Sequence, residues 1–322
     1  MRRIHSYPVR VGGERPTHHA HHHSLVTTWR SGSTLRRPDR VHWSGIMQSR
    51  SSRVGLSIGL AILAAALAWQ RWLDPHDSSP LPLNAPPRHV ALIPDGNRRW
   101  ARSRRLTVAQ GHRAGMDALG PAATAAWDSG VEVVTFWWGS PANLLKRDPD
   151  EVANIIGVLA DWLPAAGVEL LRANDATLQL GGRWQELAAA LIPAVDAAEL
   201  ALRRPAGSPP PSRKLLVLIG YDGQEEILDA AARVSRSGDG DGSSSVDRAA
   251  FEAALWTGAA PPVDLIVRSA AAGEPHLSAG FMLWHIANAQ LSWLPEYWPA
   301  VRPDHIRRAI HSYRARERRL GK

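Results

Sequence analysis

Four nearly continuous apolar runs punctuate the chain: HVALIP at 89–94, VEVVTFWW at 131–138, LLVLIGY at 215–221 and VDLIVRS at 263–269. Runs this short, flanked by turn residues, are expected as strands buried on both faces. Between them lie Ala- and Leu-rich stretches of helical character at 115–129, 151–173, 184–204 and 224–236, and a helical stretch holding Trp100 and several arginines follows the first run. Buried strands alternating with helices predict an α/β fold: a single domain over 88–322 with a central, mostly parallel sheet flanked by helices. Functional groups then belong at the carboxyl ends of the strands. SRSGDGDGSSS at 235–245 is expected as a polar surface insertion, because its D-x-D-G spacing lacks the Glu that completes a calcium loop.

Ahead of the domain the pattern changes twice. Residues 1–50 are rich in Arg, His, Ser and Thr without a sustained apolar period and are expected to be disordered; Met47 offers a second start, which would make 1–46 an extension. The histidines at 18, 19 and 21–23 have no surrounding fold and are expected to be incidental. From Val54 to Trp69 no residue is charged, and Trp72 and Leu73 prolong the apolar character. A thin transmembrane span, a signal sequence and a core helix all compete for such a stretch. We favour a membrane anchor over 54–73, since a Pro-rich linker at 74–87 separates it from the domain, and place the catalytic domain in the cytoplasm.

Composition narrows the chemistry. The chain has 322 residues and no cysteine, so disulfides, thiolate metal sites and a cysteine nucleophile are excluded. With 38 Lys+Arg against 30 Asp+Glu its net charge is +8, a balance that suits an anionic partner. The excess of arginine lies in the first fifty residues, around residues 98–113 and near the end, so no separate nucleic-acid surface is called for.

One junction concentrates the candidate chemistry. HVALIP runs directly into Asp95-Gly96-Asn97 and then Arg98-Arg99-Trp100. Gly96 allows close approach to a ligand, the following helix presents unpaired N–H groups, and the arginines add positive charge, all of which suit an anion. Asp95 fits there if it holds Mg²⁺, an ion that takes one or two carboxylates and completes its octahedron with water and phosphate oxygens. The alternative is a capping Asp before a solvated basic helix.

HVALIPDGNRRWA followed by Gly111-His112-Arg113-Ala114-Gly115 resembles the signature of the cis-prenyltransferase (undecaprenyl diphosphate synthase) family. VEVVTFWWGSPANLLKRDPDEV, IGYDGQEEI, PVDLIVRS and GEPHLSAGFMLWHIANAQL resemble further family segments in the same order, over roughly 86–321. The resemblance implies an enzyme that condenses isopentenyl diphosphate with an allylic prenyl diphosphate, using Mg²⁺, as a homodimer. By the same resemblance Asp95 would hold the metal and promote loss of the allylic diphosphate. Gly96, Asn97, Arg98, Arg99 and His112 would hold that diphosphate. Asn143 would assist proton removal, with Ser140 and Arg147 on its loop. Arg268, His276 and Ser278 would hold the second diphosphate, and Trp100, Trp137 and Trp138 would wall a tunnel for the isoprenoid tail or simply pack the core.

The departures from the pattern lie mostly at the second site. His276 stands for an Arg, extra residues surround Ala270–Ala272 and Ala279, and Gln290 replaces a Glu used as a metal ligand, so that it could coordinate only weakly. Val108 and Ala142 also replace polar residues of the pattern. These changes motivate two alternatives: the same fold making a short irregular or cyclised terpenoid, or a noncatalytic partner subunit of a heteromeric prenyltransferase.

Overall fold

The computed structural model describes residues 84–237, 247–258, 260–270, 276–278 and 280–316. The expected disordered start, the anchor at 54–73, most of the linker at 74–87 and the greater part of the insertion at 235–245 lie outside the described residues.

Six strands form one sheet: β1 (His89–Ile93), β2 (Val133–Gly139), β3 (Ala176–Gly181), β4 (Arg213–Ile219), β5 (Leu265–Arg268) and β6 (Gln290–Trp293). Their order is β3-β4-β2-β1-β5-β6 and every neighbouring pair is parallel. The four anticipated strands are the four inner ones. Burial on both faces is what makes them continuous apolar runs: Val90, Leu92, Val134 and Phe136 face one core layer, while Ala91, Ile93, Leu216 and Leu218 face another. The two strands that the apolar pattern did not reveal, β3 and β6, are the sheet's edges, where most residues are only half-buried and no apolar run is required.

Along the chain the helices are α1 (Asn97–Ser103), α2 (Val108–Asp117), α3 (Leu119–Asp128), α4 (Pro141–Leu145), α5 (Pro149–Trp162), α6 (Val168–Ala173), α7 (Trp184–Leu187), α8 (Ile192–Ala201), α9 (Gly223–Ser237), α10 (Arg248–Ala254) and α11 (Pro303–Arg314). The helix expected over 115–129 is thus two helices that meet at Ala118, the first started by a reciprocal cap between Thr107 and Gln110. The stretch at 151–173 begins earlier, at Pro149, where Asp148 accepts from the N–H groups of Asp150 and Glu151. Within it, Leu163–Gly167 widens into a π turn. Pro164 accounts for that, because it has no N–H to give and its ring crowds the preceding turn. Pro149–Ala173 is the one helical run among the described residues long and apolar enough to cross a membrane. Its Ile155, Val158, Leu159, Trp162, Val168 and Leu171 are buried in the core, so packing against the sheet accounts for its apolarity.

The order of the strands also places the site. From β1 the chain builds β2, β4 and β3 on one side, then returns to add β5 and β6 on the other. The direction of winding reverses at β1, and in parallel sheets the crevice beyond the carboxyl ends at such a reversal is where ligands bind.

Candidate active site

β1 delivers the chain through Pro94 to Asp95, and the neighbouring strand pins the turn. Ser269, the residue after β5, accepts from the Asp95 N–H at 2.8 Å, and the Asp95 carbonyl accepts from the Trp298 N–H at 2.9 Å. Gly96 then turns with φ of 97°, where a Cβ would lie 2.5 Å from the Tyr297 ring and 2.9 Å from Ala270 Cβ. Both the left-handed backbone and the lack of room require glycine here.

The Asp95 carboxylate sits between two guanidinium groups. Oδ1 accepts from Arg99 at 2.9 Å and Oδ2 from Arg268 at 2.7 Å. Arg268 ends β5 with a side chain only 5% exposed, and its other terminal nitrogen donates to Ser278 Oγ at 2.8 Å. His276 Nε2 lies 3.3 Å from the same Arg268 nitrogen that reaches Asp95. A guanidinium only donates, so His276 accepts through Nε2, which assigns its proton to Nδ1.

The opposite wall comes from β2 and α5. Ser140 and Asn143 cap one another: the Ser140 N–H donates to Asn143 Oδ1 and the Asn143 N–H to Ser140 Oγ, each at 3.2 Å. Glu151, in the first turn of α5, gathers three neighbours at once. It accepts from Arg147 at 3.0 Å and stands 3.8 Å from both Arg98 Nε and His112 Nε2. His112 is held well below the ordinary histidine value, at about 4, chiefly by burial and against the pull of Glu151. It therefore presents a neutral ring at physiological pH.

Asp95, Arg98, Arg99, His112, Ser140, Asn143, Arg147, Arg268 and Ser278 line an open cleft of about 880 Å³ beyond the carboxyl ends of β1, β2, β4 and β5, with Glu151 just behind its wall. Arg98, Arg99, Arg102, Lys146, Arg147, Arg183 and Arg268 bring seven positive charges to its walls, against the three carboxylates Asp95, Asp222 and Glu225. Buried polar atoms of three lining residues, Asn97 Oδ1, His112 Nδ1 and Trp137 Nε1, have no hydrogen-bond partner among the described residues. Orphaned groups of this kind are uncommon in interiors and suit a site that completes itself with a ligand. For Mg²⁺ the fit is that of a shared site. No three His, Asp or Glu side chains cluster for a metal among the described residues, but Asp95 offers one carboxylate beside two arginines. If a diphosphate took the arginines and the ion took the carboxylate, Asp95, Arg99 and Arg268 would each keep a partner of opposite charge.

Most of the anticipated residues converge: Asp95, Gly96, Asn97, Arg98, Arg99, His112, Ser140, Asn143, Arg147, Arg268 and Ser278 all line this cleft, and exposed His276 touches it through Arg268. Two do not. Trp100 is absent from the lining; its ring lies beneath Arg104, whose guanidinium carbon is 4.5 Å from the ring centre. Gln290 opens β6 opposite Leu265, three residues before Arg268, about 10 Å from the carboxyl end at 3.3 Å per residue. Its amide oxygen faces Arg316 at 3.3 Å, so within one chain it does not join Asp95 as a metal ligand. Trp137 and Trp138 do line the cleft, on opposite faces of β2: Trp137 packs 5.2 Å from Phe281, and Trp138 lies 5.9 Å from Phe136. Glu151, Ser269, Arg183 and the Asp222/Glu225 pair had drawn no attention. For Glu151 a signal existed, since it stands four residues after Arg147 at a helix start; for the others only the fold supplies the connection.

Comparison with known proteins finds relatives across the domain that carries the cleft. The model of the family described as "Putative undecaprenyl diphosphate synthase" matches residues 93–321. An isoprenyl transferase of Brucella suis is 35% identical over 238 residues, which cover 73% of this chain and 89% of that protein. One from Caulobacter vibrioides is 36% identical over 235 residues, 72% and 87% of the two chains. Among solved structures, lavandulyl diphosphate synthase from Lavandula x intermedia in complex with dimethylallyl diphosphate superposes with a TM-score of 0.65 at 29% identity, covering 73% of this chain and 98% of that one.

Proposed function

Since this chain belongs to the undecaprenyl diphosphate synthase (cis-prenyltransferase) family, we propose that it transfers the prenyl group of an allylic prenyl diphosphate to isopentenyl diphosphate, lengthening the chain by cis units. The observation that carries this reading is the Asp95 carboxylate held between Arg99 and Arg268 in a strongly cationic cleft. When the allylic C–O bond breaks, its electron pair leaves with the diphosphate, and the negative charge that develops there needs fixed positive partners. Arg98, Arg99 and Arg147 supply them, gathered at the site by Asp95 and Glu151. Arg268 with Ser278 forms a second anion subsite beside the first, where isopentenyl diphosphate would present its double bond to the allylic carbon. A new C–C bond forms between the allylic carbon and the terminal alkene carbon of the isopentenyl unit, and the proton this unit loses passes to an oxygen of the departing diphosphate. Asn143, an amide too weakly basic to take that proton, orients the substrate instead. Mg²⁺, bound by Asp95 and the diphosphate, would add charge neutralisation on the leaving group.

The reading extends to a homodimer, as the resemblance implies, and to a membrane tether formed by residues 54–73 with the catalytic domain in the cytoplasm. The deciding experiment incubates the full chain with Mg²⁺, labelled isopentenyl diphosphate and an allylic diphosphate, beside Asp95→Ala, and resolves products by mass. Elongation that disappears with Asp95 supports the reading. No elongated product from the intact chain would overturn it, and a branched or cyclic product from the allylic substrate alone would replace it with terpenoid synthesis.

A further inference from the structure

We propose that Tyr297 is a positioning residue for the allylic diphosphate: its ring holds the Arg99 guanidinium at the site while that arginine exchanges Asp95 for a phosphate. The inference rests on the function proposed above. Arg99 leaves α1 with 43% of its side chain exposed and is tied to Asp95 Oδ1 at 2.9 Å. A diphosphate that takes up the guanidinium competes with that hydrogen bond, and an arginine released from it regains rotamer freedom that binding must then remove. The Tyr297 ring offers a hold of another kind. The guanidinium carbon lies over it, 5.3 Å from the ring centre, inside the range of about 6 Å over which a ring face attracts a cation. Unlike a carboxylate, the ring attracts the charge while leaving N–H groups free for phosphate oxygens.

A positioning group must itself be fixed, and Tyr297 is fixed to the very turn that carries Asp95. A Cβ at Gly96 would lie 2.5 Å from Tyr297 Cδ1 and 3.1 Å from Tyr297 Cβ, so the left-handed turn packs directly on this side chain. The backbone is pinned on both sides of it. The Ala270 N–H donates to the Glu296 carbonyl at 2.6 Å, and the Trp298 N–H donates to the Asp95 carbonyl at 2.9 Å. Trp298 is 1% exposed, and its Nε1 donates to the Gly115 carbonyl of α2 at 2.6 Å. Leaving that indole N–H buried and unpaired would be costly, so Tyr297 cannot drift from the turn. Ring and carboxylate therefore keep one mutual geometry, and Arg99 has a fixed surface to lie against whichever acceptor its N–H groups engage.

Two readouts on the full chain test this: binding of the unreactive thiolo analogue of dimethylallyl diphosphate in the presence of Mg²⁺, and the steady-state KM for each substrate. Tyr297→Leu keeps apolar bulk against Gly96 but has no ring face. It should weaken analogue binding about three- to tenfold and raise KM for the allylic diphosphate to match, with KM for isopentenyl diphosphate within about twofold of wild type. Tyr297→Phe should behave as wild type, because the ring and not the hydroxyl faces Arg99. In an Arg99→Gln background Tyr297→Leu should change binding by less than about twofold, since the partner it acts through is gone. Equal weakening in both backgrounds would overturn the proposal and reduce Tyr297 to packing for the Gly96 turn. So would unchanged binding by Tyr297→Leu, or a Tyr297→Phe that behaves like Tyr297→Leu. Weakened analogue binding in Tyr297→Leu of a chain that forms no elongated product would support the positioning role while refuting condensation, and no analogue binding by the wild type would refute both. Should Tyr297→Leu fail to fold, Tyr297→Met takes its place in every comparison.

Discussion

Arg268 is the residue whose replacement tests the site most sharply, and Arg268→Lys is the informative change. Its two terminal nitrogens reach Asp95 at 2.7 Å and Ser278 at 2.8 Å, so one planar group spans the carboxylate and the second anion subsite. A lysine keeps the charge but carries its donors on one nitrogen and cannot hold both positions. Losing one hydrogen bond to a charged partner costs about 1.5–3 kcal/mol, and at about 1.4 kcal/mol per decade kcat/KM for isopentenyl diphosphate should fall about 10- to 150-fold. Stability should change little, because a cation remains beside Asp95. The assay is steady-state kinetics at saturating allylic diphosphate, paired with thermal unfolding of the same preparation. A loss of less than about threefold would refute the reasoning, since truncating a dual contact in the transition state cannot be that mild. So would a collapse of the unfolding midpoint that accounts for the lost activity.

The remaining predictions concern stability and packing. His89, fully buried between Thr135 Oγ1 and the Pro261 carbonyl, each at 2.7 Å, has its pKa lowered to about 4, first by burial. The unfolded chain therefore binds this proton more readily, and stability should be fully present above about pH 6.5 and decline by about 3 kcal/mol as pH falls toward 4. Unfolding midpoints of the wild type and His89→Gln should diverge in slope across that window; parallel slopes would remove His89 as the cause. Gly111→Ala should lower the unfolding midpoint through overpacking of about 1–3 kcal/mol, because its Cβ would lie 2.6 Å from the Asn97 backbone oxygen. At Gly115 the obstacle is instead the Asn97 side chain, at 2.5 Å, which can move, so Gly115→Ala should cost activity more than stability; equal losses in both measurements would contradict that distinction.

Much of the architecture was legible because burial on both faces imposes a composition. Strands β1, β2, β4 and β5 must be apolar throughout to pack between two layers, and they announce themselves as runs. Asp95-Gly96-Asn97 was legible for a related reason: a left-handed turn with no room for a Cβ admits only glycine, and a carboxylate beside arginines just after a buried strand has few structural uses. The edge strands β3 and β6 escaped because their half-exposed positions accept polar residues such as Gln179 and Ser292 without penalty. The same holds for Gln290, whose place in a motif suggested a metal ligand while the direction of its strand carries it to the other end of the sheet.

The sequence by itself determined the layered α/β plan, the anionic character of the ligand and the position of the Asp95 turn, since each depends on local composition and backbone geometry. Only the tertiary structure decided which residues share the cleft. Arg268 meets Asp95 across 173 positions of chain, and Ser269 meets the Asp95 N–H across 174, because β5 is added beside β1 after the winding reverses. Pairings so distant in sequence leave no local trace. The same is true of Trp138, whose role as wall or filler depends on what stands behind it, and that is set by the packing of α5, Phe136 and Trp298 against the sheet.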